Sequence, residues 1–174
     1  MKNSYPLKIV ELKTTDEQIE EIQKLFQQTP QYFIKTKGHP PQGNEARKML
    51  EEKPLGFSEL AKSLGIYHQQ ELIGYIDLIK SFPHPNSVTI GLLMISELNQ
   101  GKGWGKKSYQ LLEQIISGWG NFNTIRIGIL EVNSQVVPFW EKLNFQDTGK
   151  RLDFNENEIS TKIMIFEKKI DLAK

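Results

Sequence analysis

Gln100-Gly101-Lys102-Gly103-Trp104-Gly105 stands between an apolar strand candidate, Val88 to Ile95, and a helical apolar stripe. The stripe is carried by Trp104, Leu111, Leu112, Ile115, Ile116 and Trp119, with Lys106, Lys107, Gln110, Glu113 and Gln114 on the wet side. Alternating glycines strip side chains from one face of the loop. Where such a loop opens a helix, unpaired N–H groups and the helix dipole both point outward, and phosphate oxygens are their natural ligand. A strand, a glycine loop, a helix and then a further strand at Thr124 to Leu130 make an α/β unit.

Working outward, Val88 to Ile95 is apolar on both faces and so belongs in the middle of a covered sheet. Gly91 within it predicts a bulge or a close backbone approach by a ligand. Before it, Leu64 to His68 and Leu72 to Ile79 read as strands joined by a polar turn at Gln69-Gln70-Glu71. At the start, Leu7 to Leu12 is a strand candidate, and Thr15-Asp16 opens a helix carrying Ile19, Ile22, Leu25 and Phe26 that ends before Pro30. From Gln31 the chain reads as irregular, with a loop at Gly38, Pro40, Pro41 and Gly43, and then a helix over Asn44 to Glu52. After Thr124 to Leu130 come a helix at Gln135 to Leu143 and strands near Thr148 to Phe154 and Lys162 to Lys169. The expected architecture is a single α/β domain over residues 1–174, a central twisted mixed sheet flanked by helices.

Composition narrows the function classes. The 174 residues suffice to bury a sizeable core, and 38% apolar with 25% charged residues is ordinary globular usage. A net charge of +1 argues against a dedicated nucleic-acid surface. Without cysteine there is no disulfide framework, thiolate metal site or cysteine nucleophile. No apolar run approaches membrane length and no signal-peptide core is present, so a cytoplasmic protein with no membrane partner is expected. No His/Asp/Glu cluster has metal-ligand spacing, so no metal is expected.

Register separates the cofactors a glycine loop could serve. A Walker loop needs Gly-Lys followed at once by Ser or Thr, whereas Lys106 intervenes before Lys107-Ser108. A Rossmann fingerprint needs its third glycine one position later and an early βαβ unit. Gln-x-x-Gly-x-Gly after a strand resembles instead the acyl-CoA pyrophosphate loop of the GNAT N-acetyltransferase superfamily. A second motif follows the next strand: Asn133-Ser134-Gln135-Val136-Val137-Pro138-Phe139-Trp140-Glu141-Lys142-Leu143-Asn144-Phe145. It is similar to the family segment in which an Asn opens a helix ending in aromatic-Glu-Lys-Leu-Gly-Phe. Asn133 or Ser134 is expected to cap that helix, and Pro138 is tolerable only in its first turn. The N-terminal third, with Pro30-Gln31-Tyr32-Phe33 and Gly38-His39-Pro40-Pro41, resembles an uncharacterised bacterial subgroup of the same superfamily.

That resemblance implies acetyl-CoA as co-substrate, an amine of a small molecule or peptide as acceptor, and direct acyl transfer in a ternary complex. It implies backbone contacts from Met94, Ile95 and Ser96 to the pantetheine arm. The loop Gln100, Gly101, Lys102, Gly103, Trp104, Gly105 and Lys106 would hold the pyrophosphate, and Asn133 would reach the cofactor or the neighbouring backbone. A backbone N–H on the central strand would steady the developing oxyanion. Trp140 stands where the family often has a Tyr acting as general acid, and an indole donates a hydrogen bond but no proton. Trp140 is therefore expected to shape the thioester pocket. Base candidates are Asp77, Glu97, Glu131 and His84; Asp77, the single charge of its strand, reads equally as a satisfied carboxylate, and Glu131 as a solvated strand-end charge. Tyr32 and Phe33 line the acceptor pocket or pack a helix end, and His39 reads as a solvent-exposed loop residue. The alternative in another class is a non-catalytic acyl-CoA-binding or regulatory module. Pairing through C-terminal strands into a homodimer is a further expectation from the superfamily.

Overall fold

The computed structural model describes residues 6–156 and 158–171. Seven strands form one sheet in the order β1-β2-β3-β4-β5-β7-β6. They are β1 (Lys8–Glu11), β2 (Ala61–His68), β3 (Glu71–Lys80), β4 (Ser87–Ile95), β5 (Thr124–Leu130), β6 (Gln146–Glu156) and β7 (Ile159–Lys169). Every neighbouring pair is antiparallel except β4 and β5. β4 lies at the centre, as its two apolar faces require.

Helices cover both faces. On one face pack α1 (Asp16–Gln27), α2 (Pro30–Lys37) and α3 (Glu45–Glu51), which bury Ile22, Leu25, Phe26, Phe33 and Ala46 against Tyr75, Leu92 and Met94. On the other, α4 (Trp104–Gly118) and α5 (Val137–Glu141) bury Tyr109, Leu112, Ile116 and Trp140 against Ile90, Ile95, Ile125 and Ile127. α1 starts as predicted: Thr15 caps it, its side chain accepting from the Gln18 N–H, with Asp16 and Glu17 in the first turn.

α2 corrects the irregular reading from Gln31. Pro30 ends α1, yet the same residue, with its fixed φ and missing N–H, is well suited to the first turn of the next helix. Phe33 is driven under α2 by its contact with Phe26, ring centroids 5.1 Å apart, and Gly38 closes the helix at φ 84°. The second correction lies at Gln135 to Leu143. A 3-10 segment spans Glu131–Val136, and α5 occupies only Val137–Glu141. Neither Asn133 nor Ser134 caps α5: the capping position is Val136 and makes no side-chain bond, while Asn133 Oδ1 accepts from Gln135 Nε2 at 2.5 Å. Pro138 does fall in the first turn.

The predicted irregularity at Gly91 is a bulge. Asp77 pairs with Leu92 and Leu78 with Ile90, which leaves Gly91 the extra residue. β4 pairs with β5 only from Ser87 to Ile90, opposite Thr124 to Ile127. Beyond the bulge the two central strands splay apart, and among the described residues Leu92 to Ile95 keep β3 as their only strand partner.

The β3–β4 contact leaves no room for a side chain at Gly74, where a Cβ would sit 2.5 Å from the Met94 carbonyl oxygen and 2.8 Å from Ile66 Cδ1. Alanine in place of a strand glycine ordinarily adds stability through lower chain entropy. Here Gly74→Ala is expected to cost about 1–3 kcal/mol, because backbone must move to admit the methyl. Thermal unfolding checks the sign; an unchanged or raised midpoint would refute it.

Candidate active site

The splay opens into a cavity of about 1000 Å³ that passes from one face of the sheet to the other. Its floor is Gly91 to Ile95 on β4 and Arg126 to Leu130 on β5. On the α4 face it is walled by Val136, Phe139 and Trp140, and on the α2 face by Tyr32, Lys35 and Thr36. Leu152 and Phe154 of β6 close one side.

Strand alternation fixes which backbone groups face the opening. The Ser96 N–H donates to the Ile73 carbonyl at 2.9 Å, so alternate residues turn toward β3. Ile95 turns the other way, and its carbonyl accepts from Gln100 Nε2 at 2.8 Å. By the same alternation Leu93, half-buried and lining the cavity, presents its backbone to the opening. Met94 and Ile95 line the cavity as well; Ser96 does not, and its hydroxyl accepts from Asn99 Nδ2 at 2.9 Å. Leu93 escaped sequence reasoning because which residues turn toward the opening depends on the bulge.

At the mouth of the splay lies the glycine loop. Gly101 and Gly103 take φ 73° and 81°, with open space where a Cβ would stand. Gly103 precedes the first turn of α4 and gives no side-chain cap, leaving the first N–H groups of that helix without a side-chain partner. Lys102, Lys106 and Lys107 are exposed around them. Trp104 is half-buried, its ring 4.4 Å from that of His68 and 4.8 Å from Lys107 Nζ. At Gly105 a Cβ would stand 3.4 Å from Phe139, so hydrogen there lets α4 and α5 close on one another. Before the loop a 3-10 turn, Glu97–Asn99, is tied to the junction of α1 and α2. The Gln31 N–H donates to Glu97 Oε1 at 3.0 Å and the Glu97 N–H to the Gln28 carbonyl at 3.3 Å.

Of the other predicted residues, Glu97, Asn133 and Trp140 line the cavity, Glu97 as an exposed residue and alone among the four base candidates. Trp140 is also a core residue, with ring centroids 5.1 Å from Phe145, 5.1 Å from Phe139 and 5.8 Å from Tyr109. Asp77 lies outside the lining, in a network that satisfies it. Ser63 Oγ donates to Asp77 Oδ1 at 3.3 Å, Lys53 Nζ donates to Ser63 Oγ at 2.6 Å and stands 3.6 Å from the carboxylate, and the Tyr75 hydroxyl donates to Ser63 at 2.9 Å. Burial pushes the Asp77 carboxyl up from its usual range, against the opposing pull of Lys53 and Ser63. Glu131 is exposed beyond β5, outside the lining, in the field of Arg151 and Lys162. His84 and His39 are outside the lining too. Tyr32, by contrast, lines the cavity; burial, helped by the charges of Asp77 and Glu45, pushes its hydroxyl up to about 12 and keeps it protonated. Phe33 is wholly core. Among the described residues no group of three or more acidic, His or Cys side chains is placed to hold a metal ion, and no helix is long and apolar enough to cross a membrane.

The sequence profile of the Acetyltransferase (GNAT) family matches residues 19–145. The chain belongs to the GNAT acetyltransferase family. A spermine/spermidine N(1)-acetyltransferase of Bacillus subtilis is 29% identical over 106 residues, which are 58% of this chain and 69% of that one. Among solved structures, an acetyltransferase of Salmonella typhimurium that modifies the N-terminal serine of ribosomal protein L7/L12 superposes with a TM-score of 0.78 at 17% identity, covering 97% of this chain and 96% of that one. A ribosomal L7/L12 alpha-N-protein acetyltransferase in complex with coenzyme A superposes with a TM-score of 0.76 at 16% identity, covering 98% and 97%. At such identities the structures establish the shared fold. This GNAT protein is thus an N-acetyltransferase enzyme, of a family whose co-substrate is acetyl-CoA.

Proposed function

We propose that this GNAT enzyme transfers the acetyl group of acetyl-CoA directly to a primary amine, both substrates meeting in the β4–β5 splay. The observation that carries the reading is the junction of two features: an open glycine loop at a helix start, and a cavity through the sheet that begins beside it. The loop Gln100 to Lys106 holds the pyrophosphate through its N–H groups, with Lys102 and Lys106 adding charge. Leu93 and Ile95 turn their backbone toward the pantetheine arm, Gln100 fixing the Ile95 carbonyl, and Met94 and Asn133 line the arm's path. Trp140 and Phe139 shape the thioester pocket. The bulged backbone at Gly91 to Leu93 supplies an N–H to the acyl oxygen as negative charge develops there.

In the transfer the amine lone pair forms the C–N bond and the thioester C–S bond breaks. The nitrogen proton passes to solvent and the sulfur leaves as thiolate, to be protonated by water. Asp77 and Glu131, both outside the cavity lining, take no direct part in this scheme. The relatives act on polyamines and on a protein N-terminus, so both belong in an acceptor panel. Thiol release from acetyl-CoA is expected to accelerate with at least one primary amine and not with its trimethylated form. Release that no amine accelerates would overturn the reading.

A further inference from the structure

Arg126 is the least expected residue in the site. It sits mid-strand in β5, is only 7% exposed, and lines the cavity on its α2 face. Among the described residues it forms neither an ion pair nor a side-chain hydrogen bond, although a guanidinium carries five donors and stays charged at any ordinary pH. Its sheet neighbours are Thr89 on β4 and Glu167 on β7. Thr89 spends its proton on the Phe82 carbonyl at 2.7 Å, and Glu167 comes within no ion-pair distance. The guanidinium lies instead 5.9 Å from the centre of the Phe82 ring, which Phe57 braces edge-on at 5.1 Å. Nor are its nitrogens sealed in protein: the fully enclosed, partnerless side-chain atoms among the described residues are Ser108 Oγ and the Tyr109 hydroxyl. Arg126 therefore offers unpaired donors to the cavity.

A buried unpaired cation is costly, and an incoming anion that accepts its hydrogen bonds removes that cost. A planar carboxylate meets the fork of a guanidinium with two parallel bonds. Arg126 is the buried, unpaired charge of the lining. Lys35, Glu97 and Glu156 are exposed to solvent, which screens them, Glu97 also accepts from the Gln31 N–H, and Lys37 is paired with the buried Glu45.

We propose that the acceptor amine carries a carboxylate and that Arg126 binds it, making Arg126 the residue that selects the acceptor. This rests on the amine-transfer reading above and names its substrate class: an amino acid, or a peptide with an acidic group near its free amine. A polyamine finds no free buried carboxylate here and is a poor substrate.

The test compares amines that differ only in the carboxylate, measured by calorimetry on the CoA-loaded protein and by thiol release from acetyl-CoA. One arm sets lysine against cadaverine and ornithine against putrescine. The other sets short acidic peptides against their amide forms, which separates the two sources of a carboxylate. In at least one arm the carboxylate form is expected to bind about ten-fold or more tightly than its partner. Arg126→Met should bring it down to its partner's level, and Arg126→Lys should retain part of the preference. Equal binding within every pair, spermidine preferred over all carboxylate forms, or a preference unchanged in Arg126→Met would overturn the proposal. Stabilisation by acetyl-CoA checks that each variant is folded; should Arg126→Met fail it, Arg126→Gln and Arg126→Lys carry the comparison. Failure of the transfer reading looks different: no amine accelerates thiol release, whatever binds.

Discussion

Gly103→Glu is expected to abolish acetyl-CoA binding while leaving the protein folded. Gly103 stands at φ 81° directly before α4, with nothing within 4 Å of a Cβ position. The new side chain therefore meets no clash, and the cost to the fold is the left-handed backbone, about 1–2 kcal/mol. The cost to the ligand is far larger, because a carboxylate would stand among the N–H groups proposed to receive the pyrophosphate. Wild-type protein at about a hundred times its Kd of acetyl-CoA gains about 2.7 kcal/mol. In Gly103→Glu that gain should vanish in thermal unfolding and in calorimetry. Gly103→Ala is the control: it carries the same backbone strain without the charge, and should bind within about ten-fold of wild type. Undiminished binding in the Glu variant would place the pyrophosphate elsewhere.

The largest effect on stability is expected from Trp140→Ala. Trp140 is only 7% exposed and packs edge-on against Tyr109, Phe139 and Phe145, joining α4, α5 and the turn into β6. Removing a buried indole costs about 3–5 kcal/mol, since rings held from three elements collapse poorly into the void. For a chain of this size that is a fall of roughly 6–20 °C in the unfolding midpoint. A fall under about 3 °C would mean that Trp140 is cavity wall and not core. The same packing explains how a Trp serves at this position: the ring gives shape to the pocket and cohesion to the helices around it.

The elements that frame the proposed donor side were legible because their signals are local. The glycine register, the apolar strand before it and the stripe after it lie within a few turns of one another in sequence, and β4 and α4 appear where they were expected. The Gly91 bulge was equally legible, since glycine in a buried strand has few other uses. The proposed acceptor side is assembled from distant parts. Tyr32 and Phe33 read as equal choices in the sequence, because the helix that turns one to the cavity and the other into the core was hidden behind Pro30. Phe154 comes from β6, and Arg126 from a strand whose other residues are apolar or small enough to draw no attention. A lone charge in an apolar strand drew notice at Asp77, and the same rule applied to Thr124 to Leu130 would have found Arg126. What it could not have told is which of the two faces the cavity, because that depends on the splay and on which strands border it. Asn133 failed as a cap for a related reason: the 3-10 turn before α5 is set by how the chain leaves β5, not by the capping preference of one side chain.

The splay has one more consequence. Among the described residues this sheet has two outer rims where backbone groups lack strand partners, on β1 and β6. Parting β4 from β5 creates a second pair, in the interior. Exposed strand rims invite pairing with other chains and aggregation, which proteins counter with short rims, charges or covers. Here the cover is the site itself. Tyr32 from α2, Phe139 from α5 and Phe154 from β6 line the gap, so the two inner rims run under side chains and not along a bare sheet edge. A ligand lying along β4, as proposed for the pantetheine arm, would complete that cover, so the gap that makes room for a substrate is also the place where the sheet is guarded from the side.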